Sequence, residues 1–168
     1  MTIRNRTVRE VAVPPSPLAE ASLEWVDFSD AYAAPLPAGS DPDPQAWVDR
    51  VFHQPPRWVG AAMRARNVIA ERLGLEAPAS TRGGFPVLAR EEREILLGMD
   101  NKHLDFRVSV RVEAGTLIVA TRVRLRNRLG RVYFAPVKRV HPIVVRAMMA
   151  RALLVSEGCP SSSPSTAA

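Results

Sequence analysis

Arg66, Tyr133 and the three histidines His53, His103 and His141 are the residues whose types could do chemistry in this chain. A zinc or iron site needs imidazole, thiolate or carboxylate ligands at paired spacing, and these histidines are scattered singly, so no metal is expected. His103 stands at the start of a predicted strand and His141 directly before Pro142. Either could act as an acid or base on a carbonyl. Neither has a sequence neighbour that would tune it, so a structural polar role is the stronger reading of each. Neither a phosphate-cradling glycine loop nor a nucleophile elbow occurs; "TRGGFP" is an isolated glycine pair. Asp27 and Asp30 in "WVDFSDAY" read as turn or cap residues. No catalytic residue and no cofactor can be assigned from these patterns.

Arg66 is set apart by its position on a predicted helix from Pro56 to Leu73 that stops at Gly74. At about 100° per residue, Trp58, Val59, Ala62, Met63, Ile69, Ala70 and Leu73 share one face, with Arg57, Arg64, Asn67 and Glu71 opposite. Arg66 falls near the middle of the apolar face. A guanidinium there needs an acceptor, because an unpaired buried charge costs several kcal/mol. Three acceptors are consistent with the pattern: Glu94, water reached by snorkelling past the helix edge, or the carboxylate of a bound ligand.

The most regular stretch is a predicted hairpin in "HLDFRVSVRVEAGTLIVATRVRLRN", His103 to Asn127, with Ala114-Gly115 as its turn. Val112 then faces Leu117, Val110 faces Val119, Val108 faces Thr121, Phe106 faces Val123 and Leu104 faces Leu125. These residues make a core wall. On the other face Arg111 pairs with Ile118, Ser109 with Ala120, Arg107 with Arg122, Asp105 with Arg124 and His103 with Arg126, which reads as a solvated exterior. A single-strand nucleic-acid surface would interleave basic and aromatic residues, and Phe106 points the other way, so no nucleic-acid partner is expected.

The cover for the apolar wall is a C-terminal helix from Pro142 to Leu154, apolar except at Arg146 and Arg151, preceded by a linker from Val132. Met148 and Met149 on it serve as core filling or as adaptable pocket lining. Elsewhere, Thr7 to Val13 suggests a first strand, and residues 18–44 an extended arm anchored by Trp25, Phe28 and Tyr32. Asp43 or Asp41 caps a short helix ending at Phe52, with Pro44 first. Strands follow at Phe85–Ala89 and Glu92–Leu97. Residues 8–154 form one domain and 155–168 a disordered tail.

Composition sets outer limits. The chain has 168 residues with 46% hydrophobic and 24% charged content, which is globular. Its formal charge of +6 rests on 23 basic residues. Only Lys102 and Lys138 of these are lysine, an Arg-rich bias of the kind GC-rich bacterial genomes impose, so the charge says little about partners. Cys159 is the single cysteine, which excludes an internal disulfide and fits a reducing, cytoplasmic compartment. No segment reads as a signal peptide. The apolar run 140–155 is too short to cross a bilayer core of about 30 Å.

The strings "QPPRWVGAAMRARNVIAERLGL", "LLGMDNKHLDFRVSV" and "NRLGRVYFAPVKRVHPIVVRAMM" together resemble a bacterial family of domains of unknown function. That family occurs alone or fused to Rossmann-type NAD(P)-binding domains and is grouped with the START-like helix-grip superfamily. The resemblance covers roughly residues 8–154. It implies an α+β fold, a curved antiparallel sheet gripping a C-terminal helix with a cavity between. The expected function is non-catalytic binding there of a small, largely apolar or amphiphilic molecule, lipid- or polyketide-like, with or without an anionic end. Arg66, Trp58, Met63, Phe106, Tyr133 and Met148 are the expected ligand-binding residues. Two alternatives are a cyclase- or hydratase-type enzyme using Arg66, His103, Tyr133 or His141 to polarise a carbonyl, and a partner of a separate oxidoreductase. The oligomeric state is not legible.

Overall fold

The computed structural model describes residues 8–53, 55–72 and 85–157. Expectations that fall on Gly74, the loop "APASTRGG" and residues 158–168 lie outside these residues, while 155–157, expected in the tail, are the last residues of the C-terminal helix.

Alternation of apolar and polar side chains fixes the centre of the fold. Strands β5 (Leu104–Glu113) and β6 (Thr116–Leu125) pair in the register that the alternation predicts, from Leu104↔Leu125 to Val112↔Leu117. Their two-residue turn places Ala114 at φ 46° and Gly115 at φ 72°. A two-residue hairpin turn needs both dihedrals positive, and glycine meets that need without strain. Around this hairpin lie β4 (Glu94–Asp100), β3 (Val87–Arg90), β2 (Phe28–Pro35) and β1 (Arg9–Glu10). The result is a six-stranded open antiparallel sheet of order β1-β2-β6-β5-β4-β3.

Strand β2 corrects the expectation of an extended surface arm over 18–44. Phe28–Pro35 pairs along its whole length with β6 and is a central strand. Its Ala31 and Ala33 are buried, and Ala19 of α1 (Pro17–Ala21) is wholly buried on the same side of the sheet. Small side chains let the N-terminal segment lie close over that face, a packing that strand propensity does not signal.

That segment also overturns the picture of a solvated charged face. Asp105 is 0% exposed, Glu94 3%, Arg107 5% and Arg122 6%. Residues 14–24 supply many of their partners. Arg122 donates to the Pro14 carbonyl at 2.7 Å, Arg111 to the Pro15 carbonyl at 2.9 Å, and Arg107 to the Ser22 hydroxyl at 3.1 Å. Glu94 accepts from Ser16 and Arg111 at 2.7 and 2.8 Å. A buried guanidinium is tolerated only when its donors are satisfied, and backbone carbonyls of the crossing segment satisfy them here.

The opposite face carries the apolar wall, with Ile95, Leu97, Val108, Val110, Leu117, Val119 and Tyr32 all buried. Helix α2 (Pro44–Phe52) packs on it, capped as predicted by the Asp43 side chain, which accepts from the Gln45 amide, with Pro44 in the first turn. Helix α3 (Arg57–Arg72) turns Val59 and Ala70 inward but leaves Trp58 46% exposed.

Helix α4 spans Arg128–Glu157 and is 30 residues long, so the expected linker before Pro142 is helical instead. Both Pro136 and Pro142 lie inside it. Each proline removes one N–H from the helix ladder. The inner stripe of Phe134, Val145, Met148, Met149, Ala152 and Leu153 is buried and offsets that loss through packing. Asn127 starts the helix, its side-chain oxygen accepting from the Gly130 amide at 2.9 Å. Glycine is required at 130, because a Cβ there would stand 2.2 Å from the His103 carbonyl oxygen. Among the described residues no helix is long and apolar enough to cross a membrane.

Candidate functional site

A pocket of about 450 Å³, partly open to solvent, lies between the apolar face of the sheet and α4, with α3 and the end of α2 adding to its lining. Its lining is largely apolar, and an aromatic cluster forms part of it. The rings of Phe85 and Phe106 have centroids 4.9 Å apart, and Phe52 meets Phe85 edge-on at 6.2 Å. Of the residues expected to touch a ligand, Arg66, Met63, Phe106, Tyr133 and Met148 all line this one space. Trp58 does not; it faces away from the lining on the exposed side of α3.

The polar groups of the lining gather at two places. At the first, Arg66 reaches from α3. Its Nε and one terminal nitrogen donate to the same Asn67 side-chain oxygen at 3.2 and 2.9 Å. Among the described residues it pairs with no carboxylate. Glu94, one acceptor allowed by the sequence, is excluded because it lies on the opposite face of the sheet, bonded to Arg111 and Ser16. Tyr133 on α4 senses the same guanidinium: burial pushes its phenol pKa up, and the Arg66 charge opposes that rise. His103 also lines this region. Its Nδ1 lies 3.0 and 3.3 Å from the two side-chain heteroatoms of Asn127, tying the β4–β5 turn to the start of α4.

The second place is built around His141 on α4. Its Nε2 is 3.1 Å from the Thr121 hydroxyl on β6 and 3.3 Å from Asp30 Oδ1 on β2. Asp30 and Thr121 are direct cross-strand partners, so one register pair presents both to the helix. Tyr32, two residues along β2 on the same face, donates its phenol to Asp30 Oδ2 at 3.2 Å. Burial, and then the Asp30 charge and hydrogen bond, push the Tyr32 pKa well up, so this phenol stays protonated as a donor. The expectation that Asp30 serves a turn is therefore corrected, whereas Asp27 accepts from the Leu125 amide at the end of β6 at 2.6 Å and from the Trp25 indole at 3.0 Å. The missed signal is the alternation Phe28, Asp30, Tyr32, which marks a strand with a carboxylate on its core side.

Along α4 the two places are separated by the rise from Tyr133 to His141, about 12 Å at the usual advance per residue. Apolar residues, Pro136, Val137 and Val140, line the space between them. Among the described residues no group of His, Cys, Asp and Glu could hold a metal ion. What the arrangement can do is hold an elongated apolar body with a cation at one end and a carboxylate-backed imidazole further along.

The profile of the family described as "Protein of unknown function (DUF2867)" matches residues 22–148, and the chain belongs to that family. No curated protein matches the chain, and no solved structure does.

Proposed function

We propose that this member of the DUF2867 family holds one small, largely apolar molecule between the sheet and α4, with the molecule's anionic end on Arg66. The observation that carries this reading is the guanidinium itself. Arg66 lines an apolar pocket, and the partner it finds among the described side chains is a neutral amide oxygen. A guanidinium so placed has donors to spare, and its planar fork suits a carboxylate. The pocket volume falls within the range usual for small-molecule sites. The helix-grip, START-like reading is supported by an antiparallel sheet crossed by a long C-terminal helix, the arrangement in which such a cavity forms. An enzyme of the cyclase or hydratase kind is the second reading, favoured by the carboxylate beside His141.

Calorimetric titration with decanoate and with decanol tests the proposal. The parent protein should prefer decanoate by roughly 10- to 100-fold, since a charge-assisted hydrogen bond contributes about 1.5–3 kcal/mol. Arg66→Met should bind the two equally. Ligand-free Arg66→Met should melt at or above the parent temperature, because a cation lacking its counter-ion has been removed. Loss of stability in the empty variant, together with equal binding of both probes by the parent, would show that Arg66 is structural.

A further inference from the structure

We infer that Asp30 and His141 form a general acid–base site in the pocket wall, which moves a proton on a carbonyl-bearing ligand. This inference rests on the pocket reading above and adds a reaction to it.

Three observations carry it. First, the imidazole is fixed at one nitrogen. Thr121 engages Nε2 at 3.1 Å, and His141 packs edge-on against Phe28 at 6.1 Å, so the ring plane is set. The polar contacts of the ring are made at Nε2, and the residue lines the pocket. With the proton on Nε2, the lone pair is on Nδ1, the form that a base requires.

Second, Asp30 is a buried carboxylate with one unsatisfied oxygen. It is 8% exposed, and its Oδ1 is sealed from solvent without a hydrogen bond, although Nε2 is only 3.3 Å away. The two atoms are within ion-pair distance but share no hydrogen bond. A purely structural polar cluster would satisfy this oxygen, because an orphaned buried acceptor is costly. A carboxylate held on the Nε2 side of the ring instead faces the positive charge that develops on the imidazole as Nδ1 takes a proton.

Third, the neighbours of the pair hold the Asp30 carboxylate in place. Tyr32 donates to Asp30 Oδ2 and is held protonated, while Arg146 lies over the Tyr32 ring at 5.1 Å and pairs with Glu10 at 3.4 Å. These are the charged and titratable groups that β1, β2 and α4 present around the Asp30–His141 pair.

The step needs no co-reactant. Nδ1 takes a proton from a carbon next to a carbonyl; the C–H electron pair becomes the enolate double bond and the carbonyl pair moves to oxygen. Return of that proton from Nδ1 to the γ-carbon of a conjugated enolate isomerises an unsaturated ligand, whereas return to the same carbon after Nδ1–H has exchanged with water labels that carbon with a solvent proton. In the tautomer that carries its proton on Nε2, Thr121 accepts from that nitrogen and keeps its own hydroxyl hydrogen for the ligand oxygen.

5-Nitrobenzisoxazole is a suitable probe: a neutral bicycle whose carbon-bound proton is taken by a base as its N–O bond breaks, giving a coloured cyanophenolate. Its binding is read separately, as displacement of decanoate in calorimetry. The parent should turn it over with saturation, well above buffer. His141→Gln should lower that rate by about 100-fold or more, the usual contribution of a positioned base. Asp30→Asn should also lower it and displace the pH profile, while Lys138→Gln, on the exposed side of α4, should match the parent. Circular dichroism of each variant confirms folding, and the Asp30→Asn pH profile decides the matter if His141→Gln does not fold. If the probe displaces decanoate yet reacts no faster than in buffer, or if turnover survives both substitutions, the acid–base site is wrong and the pocket stands. Absence of binding by both probe and decanoate would overturn the two readings together.

Discussion

Asp105 offers the sharpest test of the claim that the arginine-rich face is structural. Its carboxylate is 0% exposed and lies between Arg124 Nε at 2.5 Å and Arg126 Nε at 2.9 Å. Asp105→Asn keeps the shape but turns an amide nitrogen or a weaker acceptor toward two guanidinium groups. Removing one partner of a buried ion pair costs about 3–5 kcal/mol. Arg124 keeps Glu24 at 2.8 Å and the Trp25 ring at 4.9 Å, and Arg126, 41% exposed, can turn to water. The loss therefore belongs near the lower end, about 3 kcal/mol, or roughly 6–12 °C in melting temperature for a domain of this size. Burial alone would raise the Asp105 pKa, but hydrogen bonds and charge from Arg126 and Arg124 together hold it below the ordinary value of 3.8. A depressed native pKa gives stability that is complete above the unfolded value and is lost as pH falls through the native one. The gap between parent and variant should thus be full at pH 7, narrow below pH 3.8, and close in stronger acid. Thermal melts across this range measure it. A variant melting within about 2 °C of the parent at pH 7 would refute the reasoning, since no buried pair would have been broken.

Charge insertion on either face of β6 should be severe. Val119→Asp and Ala120→Asp place a carboxylate where the native side chains are 2% and 0% exposed, and urea titration should show losses of several kcal/mol for both. A mild Ala120→Asp would mean that the N-terminal segment does not cover that face. Gly130→Ala should cost about 1–3 kcal/mol, because the new methyl meets the His103 backbone and one of the two must move. Its melting temperature against that of Gly115→Ala, where no atom lies within 4 Å but φ is 72°, separates steric from conformational cost.

The hairpin was legible residue by residue because ten-residue alternation on two strands and a glycine turn leave only one register that buries every valine. The cap at Asp43 was equally plain, its Asp-Pro pair being a local signal. Strand β2 was not legible, since "FSDAYAAP" is rich in alanine and carries serine and aspartate, and its pairing depends on β6 far along the chain. The Asp30–Thr121 register was hidden with it, and so was the second partner of His141. Five of the six expected pocket residues converge because their apolar periodicity reflects burial, but Trp58 shows that hydrophobic position on a helix wheel does not decide which edge is covered. The early start of α4 was masked by Pro136 and Pro142, whose local penalty is overridden by packing of the helix on the sheet and α2.

The segment that crosses the back of the sheet has a consequence for the order in which the fold closes. Its contacts are among the most remote in the chain: Pro14 with Arg122 across 108 residues, Glu24 with Arg124 across 100, and Ser16 with Glu94 across 78. Loop closure over such distances is slow, and the contacts cannot form until β5 and β6 exist to receive them. A ribosome adding about 5–20 residues per second exposes the crossing segment for roughly 5–20 s before its arginine partners emerge. The crossing segment is therefore among the last parts to be docked, and until then the sheet turns to water a charged face on which Arg122 lacks its backbone acceptor, a surface that discourages one nascent copy from stacking on another.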